Sequence, residues 1–171
     1  MQLNSSEYIA KKAAGVLRRT GTSNPDKMAA RIGIIIKEYP FKKQKGVYKV
    51  IKRNRFIFLK SDLDPVMRGI VIAHEIGHDA LHRTEAAQFQ EFNLFDMANN
   101  RMEYEANLFA AEILLPEDEL LDCIWRGLDA EQTAKAMRSD INLIALKVSE
   151  LKMRGYKFKE PEYRSEFLRK L

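Results

Sequence analysis

The stretch Asp64-Pro65-Val66-Met67-Arg68-Gly69-Ile70-Val71-Ile72-Ala73-His74-Glu75-Ile76-Gly77-His78-Asp79-Ala80-Leu81-His82 decides how this chain is read. Asp64 and Pro65 form an N-cap and first-turn proline, and Val66, Ile70, Ala73, Gly77, Ala80 and Leu81 recur at helical spacing. A helix with one buried face is therefore expected to run to about Arg83. Within it, His74-Glu75-Ile76-Gly77-His78 has the form H-E-x-x-H, a pattern that carries meaning only inside a helix. Four residues of helix are ~400° of rotation and ~6 Å of rise, so both imidazoles leave one face a turn apart and can share one Zn²⁺. Glu75 falls three residues before His78, beside such an ion, as the base for an activated water. The competing reading is three surface histidines on an amphipathic helix. Gly77 weighs against it, because a mid-helix glycine costs ~1 kcal/mol relative to alanine unless a close approach requires it.

A catalytic zinc takes three protein ligands and keeps one open position. His82 lies ~12 Å from His74 along a continuous helix, too far for a shared ion, and Asp79 to Leu81 contains no glycine at which the helix would break. His82 is read as a neighbour of the ligands or a surface residue, with oxyanion stabilisation as a further role open to it. A second helix, Arg101 to Leu115, ended by Pro116, supplies a better third ligand. Glu103, Ala106, Asn107, Ala110 and Leu114 share one face, and the alanines let that face approach the histidine helix. Glu103 then completes a two-histidine, one-glutamate site, and Asn107 one turn on orients a ligand imidazole. Glu105 points ~200° away from Glu103 and cannot serve the same ion equally.

Working outward, Ser5 to Arg19 is a helix stopped by Gly21, and Asn24-Pro25 opens a short helix through Met28 to Arg31 that Gly33 closes. Ile34 to Glu38, Gly46 to Ile51 and Arg55 to Lys60 are strand-length β-branched or aromatic runs, the last two joined by a short turn containing Asn54. Thr84 to Asn100 holds Phe89, Phe92 and Phe95 without a clean period, and is either a short packed helix or an apolar loop, with a lid or partner patch as an alternative to core packing. Glu117 to Trp125, Ala130 to Arg138 and Asn142 to Arg154 read as three more helices. The fold class is α+β: a helix-rich, zincin-like domain with a small three-stranded antiparallel sheet packed on the H-E-x-x-H helix. One domain is expected over 1–171, with N-terminal helices and first strand in 1–45, a catalytic core in 46–116 and C-terminal helices in 117–171.

Composition agrees. With 46% apolar and 31% charged residues among 171, this is an ordinary globular chain rather than a disordered or fibrous one. No run approaches the ~20 apolar residues of a membrane span, and Met1 to Lys12 holds no signal-peptide core, so a cytoplasmic protein without a membrane partner is expected. The lone Cys123 can form no internal disulfide and is expected in the core near Trp125. The net charge of +5 is unevenly placed: nine Lys or Arg against only Glu38 between Lys37 and Lys60, and ten acids against only Arg101 between Glu85 and Asp122. On the basic hairpin from Lys42 to Arg55, lysines guard an edge strand against aggregation or receive an extended substrate by strand addition.

The segments Ile72 to His82 and Glu103-Tyr104-Glu105-Ala106-Asn107-Leu108-Phe109-Ala110-Ala111-Glu112-Ile113-Leu114-Leu115-Pro116 together resemble the ImmA/IrrE family of metallo-endopeptidases, which pairs H-E-x-x-H with a downstream E-x-x-A-N-x-F-A-A-x-x-L-x-P. Leu115 stands where that family frequently has Met. The resemblance implies a zinc protease with Glu103 as third ligand, acting on a helix-turn-helix repressor, as in anti-repressors of phages and integrative elements. Two rivals remain. Asp129 to Tyr156 resembles a helix-turn-helix in length, with Lys147, Lys152 and Arg154 available for phosphates, which fits a DNA-binding regulator with an inert motif. Direct nucleic-acid binding is the weaker expectation, since Ile144, Leu146, Val148 and Leu151 fit packing at least as well. The other rival is an inactive scaffold that sequesters a repressor.

Overall fold

A computed structural model describes residues 5–84 and 97–158 of the chain. Of the stretch 84–100, residues 85–96, with Phe89, Phe92 and Phe95, lie outside the described residues. The chain divides into two compact units, Met1–Leu114 and Leu115–Leu171.

The first unit begins with helix α1 (Ser5–Thr20), which buries Ile9, Ala13 and Val16. Helix α2 (Pro25–Arg31) starts where Asn24 accepts a hydrogen bond from the Lys27 N–H and Pro25 occupies the first turn. Gly33, at φ +76°, turns the chain into the sheet. Strands β1 (Ile34–Tyr39), β2 (Gly46–Ile51) and β3 (Asn54–Lys60) follow, in the spatial order β1-β3-β2.

The sheet is mixed, which corrects the expectation of three antiparallel strands. β2 and β3 form an antiparallel hairpin, and β3 lies parallel to β1, with Ile34 opposite Arg55 and Lys37 opposite Phe58. Successive strands still alternate in direction, as short connections require. However, residues 40–45 carry the chain past the middle position, and the hairpin returns β3 between its predecessors. Neighbour order is a matter of which strand buries the most apolar surface, and Ile57 and Leu59 of β3 are both fully buried. The hairpin turns on Lys52 and Arg53, both left-handed at φ 48° and 65°, as a two-residue primed turn demands. Asn54, expected within the turn, instead opens β3 and donates to the Lys52 carbonyl at 3.3 Å.

Helix α3 (Pro65–Leu81) is capped by Asp64, which accepts from the Val66 and Met67 N–H groups at 3.0 Å each. It packs against β2 and β3 on one side and against helix α4 (Met97–Leu114) on the other. Burial on both sides explains why its buried set differs from a single stripe: Val71, Ile72, Ala73, Glu75, Ile76, Gly77 and Asp79 are buried, while Val66 is exposed. The crossing with α4 is close. A β-carbon at Gly77 would lie 3.1 Å from Ala106 Cα and 3.2 Å from both the Ala106 oxygen and Phe109 Cβ. Small residues on both helices bring their axes together.

The second unit holds α5 (Glu117–Trp125), α6 (Ala130–Ala136) and α7 (Ile141–Met153). Asp129 and Gln132 close a reciprocal capping box on α6, and Asp140 caps α7 through the Asn142 N–H. Cys123 is buried, but Trp125 is 72% exposed and forms no core beside it. The phosphate-binding role considered for Lys147 is also corrected: that side chain is 1% exposed, so it is not presented to a ligand, and Arg154 approaches Glu117 at 3.9 Å. Lys152 is the exposed member of the three. Among the described residues no helix is long and apolar enough to cross a membrane.

Candidate metal centre

Helical periodicity sorts the side chains of α3 by face. Val71, Glu75 and Asp79, four residues apart, line the face toward the sheet, while His74 and His78 emerge together toward α4. There they meet Glu103. His74 Nε2 stands 3.1 Å from His78 Nε2 and 3.2 Å from Glu103 Oε2, and His78 Nε2 stands 3.4 Å from Glu103 Oε1. Ligand atoms at the corners of a tetrahedron around zinc, each at about 2.05 Å from it, are about 3.3 Å apart, so the donor set fits that ion. Both histidines are partly exposed and Glu103 is exposed, leaving the group open to solvent on one side.

The tautomer of His74 follows from its other nitrogen. Nδ1 lies 2.9 Å from Asn107 Oδ1, an acceptor, so Nδ1 carries a proton and Nε2 is the nitrogen that faces the donor group, free to bind a metal once its own proton is displaced. Burial of His74 alone would lower its pKa, but hydrogen bonding to Glu103, the charges of Glu75 and Glu103, and the contact to Asn107 together raise it above the ordinary histidine value. Glu103 is held well below the usual carboxylate range by its hydrogen bonds from His74 and His78. A metal ion replaces the protons in just such a cluster of converging lone pairs.

Glu75 is 5% exposed. Burial pushes its carboxyl pKa up, opposed by the charges of His74 and His78 and by a hydrogen bond from the Tyr48 backbone N–H. Gly46, at the start of β2, makes this arrangement possible: a β-carbon there would lie 2.4 Å from Val71 Cγ1 and 2.9 Å from Glu75 Oε1. Sequence reasoning missed Gly46, although a glycine inside a strand pattern often marks a close approach.

Two further clusters brace the helices. Asp79, 2% exposed, accepts from Tyr48 Oη at 2.6 Å, Arg55 Nη1 at 2.9 Å, and Arg83 Nε and Nη2 at 3.0 and 2.8 Å. Burial and donation to Asp79 raise the Tyr48 pKa strongly. Arg55 also donates to the Ile32 carbonyl, tying β3 to the end of α2. His82 caps the end of α3 and is buried, with Nε2 3.4 Å from Glu105 Oε2. Glu105 in turn accepts from Arg101 Nε at 2.8 Å and Ser5 Oγ at 3.2 Å, linking α1, α3 and α4. His82 is thus brought to Glu105, and its ring lies 5.9 Å from that of His78. Arg83–Asp79 and Arg101–Glu105 are one-turn helical pairs, but Tyr48, Arg55, His82 and Ser5 reach their carboxylates from residues distant along the chain, which the sequence did not indicate.

A pair of imidazoles one helical turn apart and a carboxylate from the next helix form a group that could hold a metal ion, with a buried glutamate beside it. Comparison with known proteins agrees with such a site. Residues 29–149 match the Peptidase M78 family, described as the IrrE N-terminal-like domain, and the chain belongs to this metallopeptidase family. It is 36% identical over 118 residues to uncharacterized immunity region protein 2 of Bacillus phage phi105, covering 67% of this chain and 73% of that one. It is 26% identical over 132 residues to Metallopeptidase ImmA of Bacillus subtilis (strain 168), covering 76% and 78%. Among solved structures it is similar in fold to a Mycobacterium tuberculosis transcriptional regulator, with a TM-score of 0.58 at 15% identity over 85% of this chain. The chain spans 46% of the length of that structure.

Proposed function

We propose that this protein is a cytoplasmic zinc endopeptidase, with His74, His78 and Glu103 as metal ligands and Glu75 as general base. The observation that carries the reading is the convergence of the donors: the two imidazole Nε2 atoms lie 3.1 Å apart, each is 3.2 to 3.4 Å from one oxygen of the Glu103 carboxylate, and one ligand atom from each residue lies within 4.8 Å of the others, a grouping that one zinc ion can draw together. His74, His78 and Glu103 would hold the zinc ion, which when bound would lower the pKa of a water to near 7 and polarise the scissile carbonyl. Glu75 takes a proton from the attacking water and delivers it to the leaving amine nitrogen, a task that suits a carboxylate whose pKa is raised by burial. The Tyr48 N–H keeps that carboxylate in place, and Asn107 fixes the His74 ring with its Nε2 toward the donor group. His82, paired with Glu105, acts as a prop for the end of α3 rather than as an oxyanion donor.

The substrate we assign is a helix-turn-helix repressor, so that cleavage would relieve repression. Two names support this: one relative is a metallopeptidase, and another is called a phage immunity region protein. An extended substrate segment would pair with the outer edge of β2, which among the described strands pairs only with β3 and starts beside Glu75. The rival of a DNA-binding regulator loses support because Lys147 is buried.

The test uses zinc content and cleavage together. Glu75→Gln should keep about one zinc per chain and lose cleavage of a repressor encoded beside this gene, whereas Glu103→Ala should lose the metal. Full cleavage by Glu75→Gln would overturn the mechanism, and a parent protein that takes up no zinc would overturn the enzyme reading.

A further inference from the structure

The sheet has two faces of opposite character. Ile34, Tyr48, Ile57 and Leu59 are buried on the inner one, toward α2 and α3. Alternation places their neighbours on the outer face, and the register aligns them in rungs: Ile35, Phe56 and Lys49 in one, Lys37, Phe58 and Val47 in the next. Tyr39 and Lys60 pair in a third. Within this unit the helices that pack on the sheet are α2 and α3. Ile35 is 42% exposed and Tyr39 52%. Phe56 and Phe58, on the middle strand, stack with ring centroids 5.8 Å apart and planes within 21° of parallel. Phe41 lies against Tyr39 at 4.7 Å, adding a second aromatic pair.

Cations surround these rings. Lys37, Lys42, Lys43, Lys49, Lys52 and Arg53 are exposed and have no carboxylate partner within ion-pair distance among the described residues. Glu38 is the single acid between Lys37 and Lys60 and is directed to Arg68 at 3.5 Å, while Asp62, just beyond β3, neutralises Lys60 at 2.7 Å. Lysines as mere edge guards would account for the charge but not for aromatic pairs on the same face, in which Tyr39 is exposed and Phe41, Phe56 and Phe58 are partly so.

We infer that this outer sheet face binds single-stranded nucleic acid, with bases stacking on Phe56, Phe58 and Tyr39 and phosphates meeting the surrounding Lys and Arg. Unpaired strands combine a polyanionic backbone with accessible base faces, and both are matched here. A duplex hides its base faces and can use the cations alone. An acidic peptide likewise uses the cations and gains little from a stacked aromatic pair. The surface is separate from the metal centre, which lies toward α4 on the far side of α3.

The test is fluorescence anisotropy of the full zinc-reconstituted chain with labelled oligothymidylate of roughly 12 nucleotides, within the site sizes of sheet-based binders. Binding at about 50 mM salt should weaken with added salt, by a log–log slope of about −0.7 per phosphate contacted. Phe56→Ala/Phe58→Ala should lose ten-fold or more in affinity, Phe56→Tyr/Phe58→Tyr should retain it, and Lys37→Glu/Lys49→Glu should lose it with unchanged zinc content and circular dichroism. Lys152→Glu on α7 should change nothing. Absence of binding at that salt, equal affinity for a duplex of the same length, or indifference to both double substitutions would overturn the assignment. So would equal, phenylalanine-dependent binding of an oligoglutamate of like charge, which would make the face a protein-docking surface. If the alanine pair fails to fold, the lysine pair decides, since those side chains are exposed.

Discussion

Gly46 stands directly over the carboxylate of Glu75: a β-carbon at position 46 would come within 2.9 Å of Glu75 Oε1 and 2.4 Å of Val71 Cγ1. The edge strand and the proposed base are therefore in contact, with no side chain between them. Gly46→Ala should displace Glu75 or push β2 away, lowering kcat by ten-fold or more and costing about 1–3 kcal/mol of stability through overpacking. Zinc content should stay near that of the parent. Unchanged kcat in a steady-state cleavage assay would show that the contact does not position the base.

Asn107 should matter through His74 alone. Its Oδ1 accepts from Nδ1–H at 2.9 Å, so Asn107→Ala frees the ring to rotate and to change tautomer. Loss of such an outer hydrogen bond typically weakens metal affinity by about 10–100-fold. Competition with a chromogenic zinc chelator measures it, and an unaltered dissociation constant would remove Asn107 from the site.

Zinc uptake should fall with decreasing pH. The ligands bind metal only when deprotonated, and His74 holds its proton more tightly than free imidazole because Glu103 and Glu75 outweigh its burial. The sign follows: below the raised His74 pKa, each pH unit costs about ten-fold in apparent affinity per proton displaced. Glu103 contributes little over this range, being held ionised to far lower pH. A flat profile in zinc titrations between about pH 8 and 5.5 would overturn ligation by the two imidazoles.

Tyr48 predicts a loss of stability in alkali. Its pKa is raised by burial and by donation to Asp79. A group whose folded pKa lies above its unfolded value of about 10 contributes stability that is intact below pH 10 and is lost as pH rises beyond it. Urea denaturation of the parent should therefore show a steeper decline above about pH 10 than Tyr48→Phe, which lacks the titrating group. Parallel declines in the two proteins would indicate that the phenol ionises as freely folded as unfolded.

Gly77→Ala sets helix propensity against space. Propensity alone favours alanine by about 1 kcal/mol. The new methyl group would meet the Ala106 backbone at 3.1 Å and Phe109 Cβ at 3.2 Å, and a helix backbone yields less readily than a side-chain tip. A net destabilisation of about 1–3 kcal/mol is expected from equilibrium unfolding, and a stabilised variant would mean that α3 and α4 separate at little cost.

Local chemistry made much of this protein readable from sequence. Asn24 and Asp64 each cap the helix that follows, because a side-chain acceptor before a helical run satisfies its first N–H groups whatever lies elsewhere in the chain; Asp129 and Asp140 do the same, although neither stood out in the sequence. Helical periodicity alone puts His74 and His78 on one face and Glu103, Ala106 and Asn107 on another. The small residues Gly77, Ala106 and Ala110 indicated which faces would meet. The charge asymmetry was also visible, though not the surface that would display it.

Tertiary structure decided the rest. The sequence could alternate the strand directions but not order the strands, because inserting β3 between β1 and β2 depends on which edge the core prefers, a comparison made across the whole unit. Likewise nothing local assigned Tyr48 and Arg55 to Asp79, or His82 and Ser5 to Glu105. Periodicity reports which residues share a face; it says nothing of what another segment brings to that face. Buried polar groups find partners because leaving them unpaired costs about 1–3 kcal/mol each, and the partners come from distant segments that only folding places within reach.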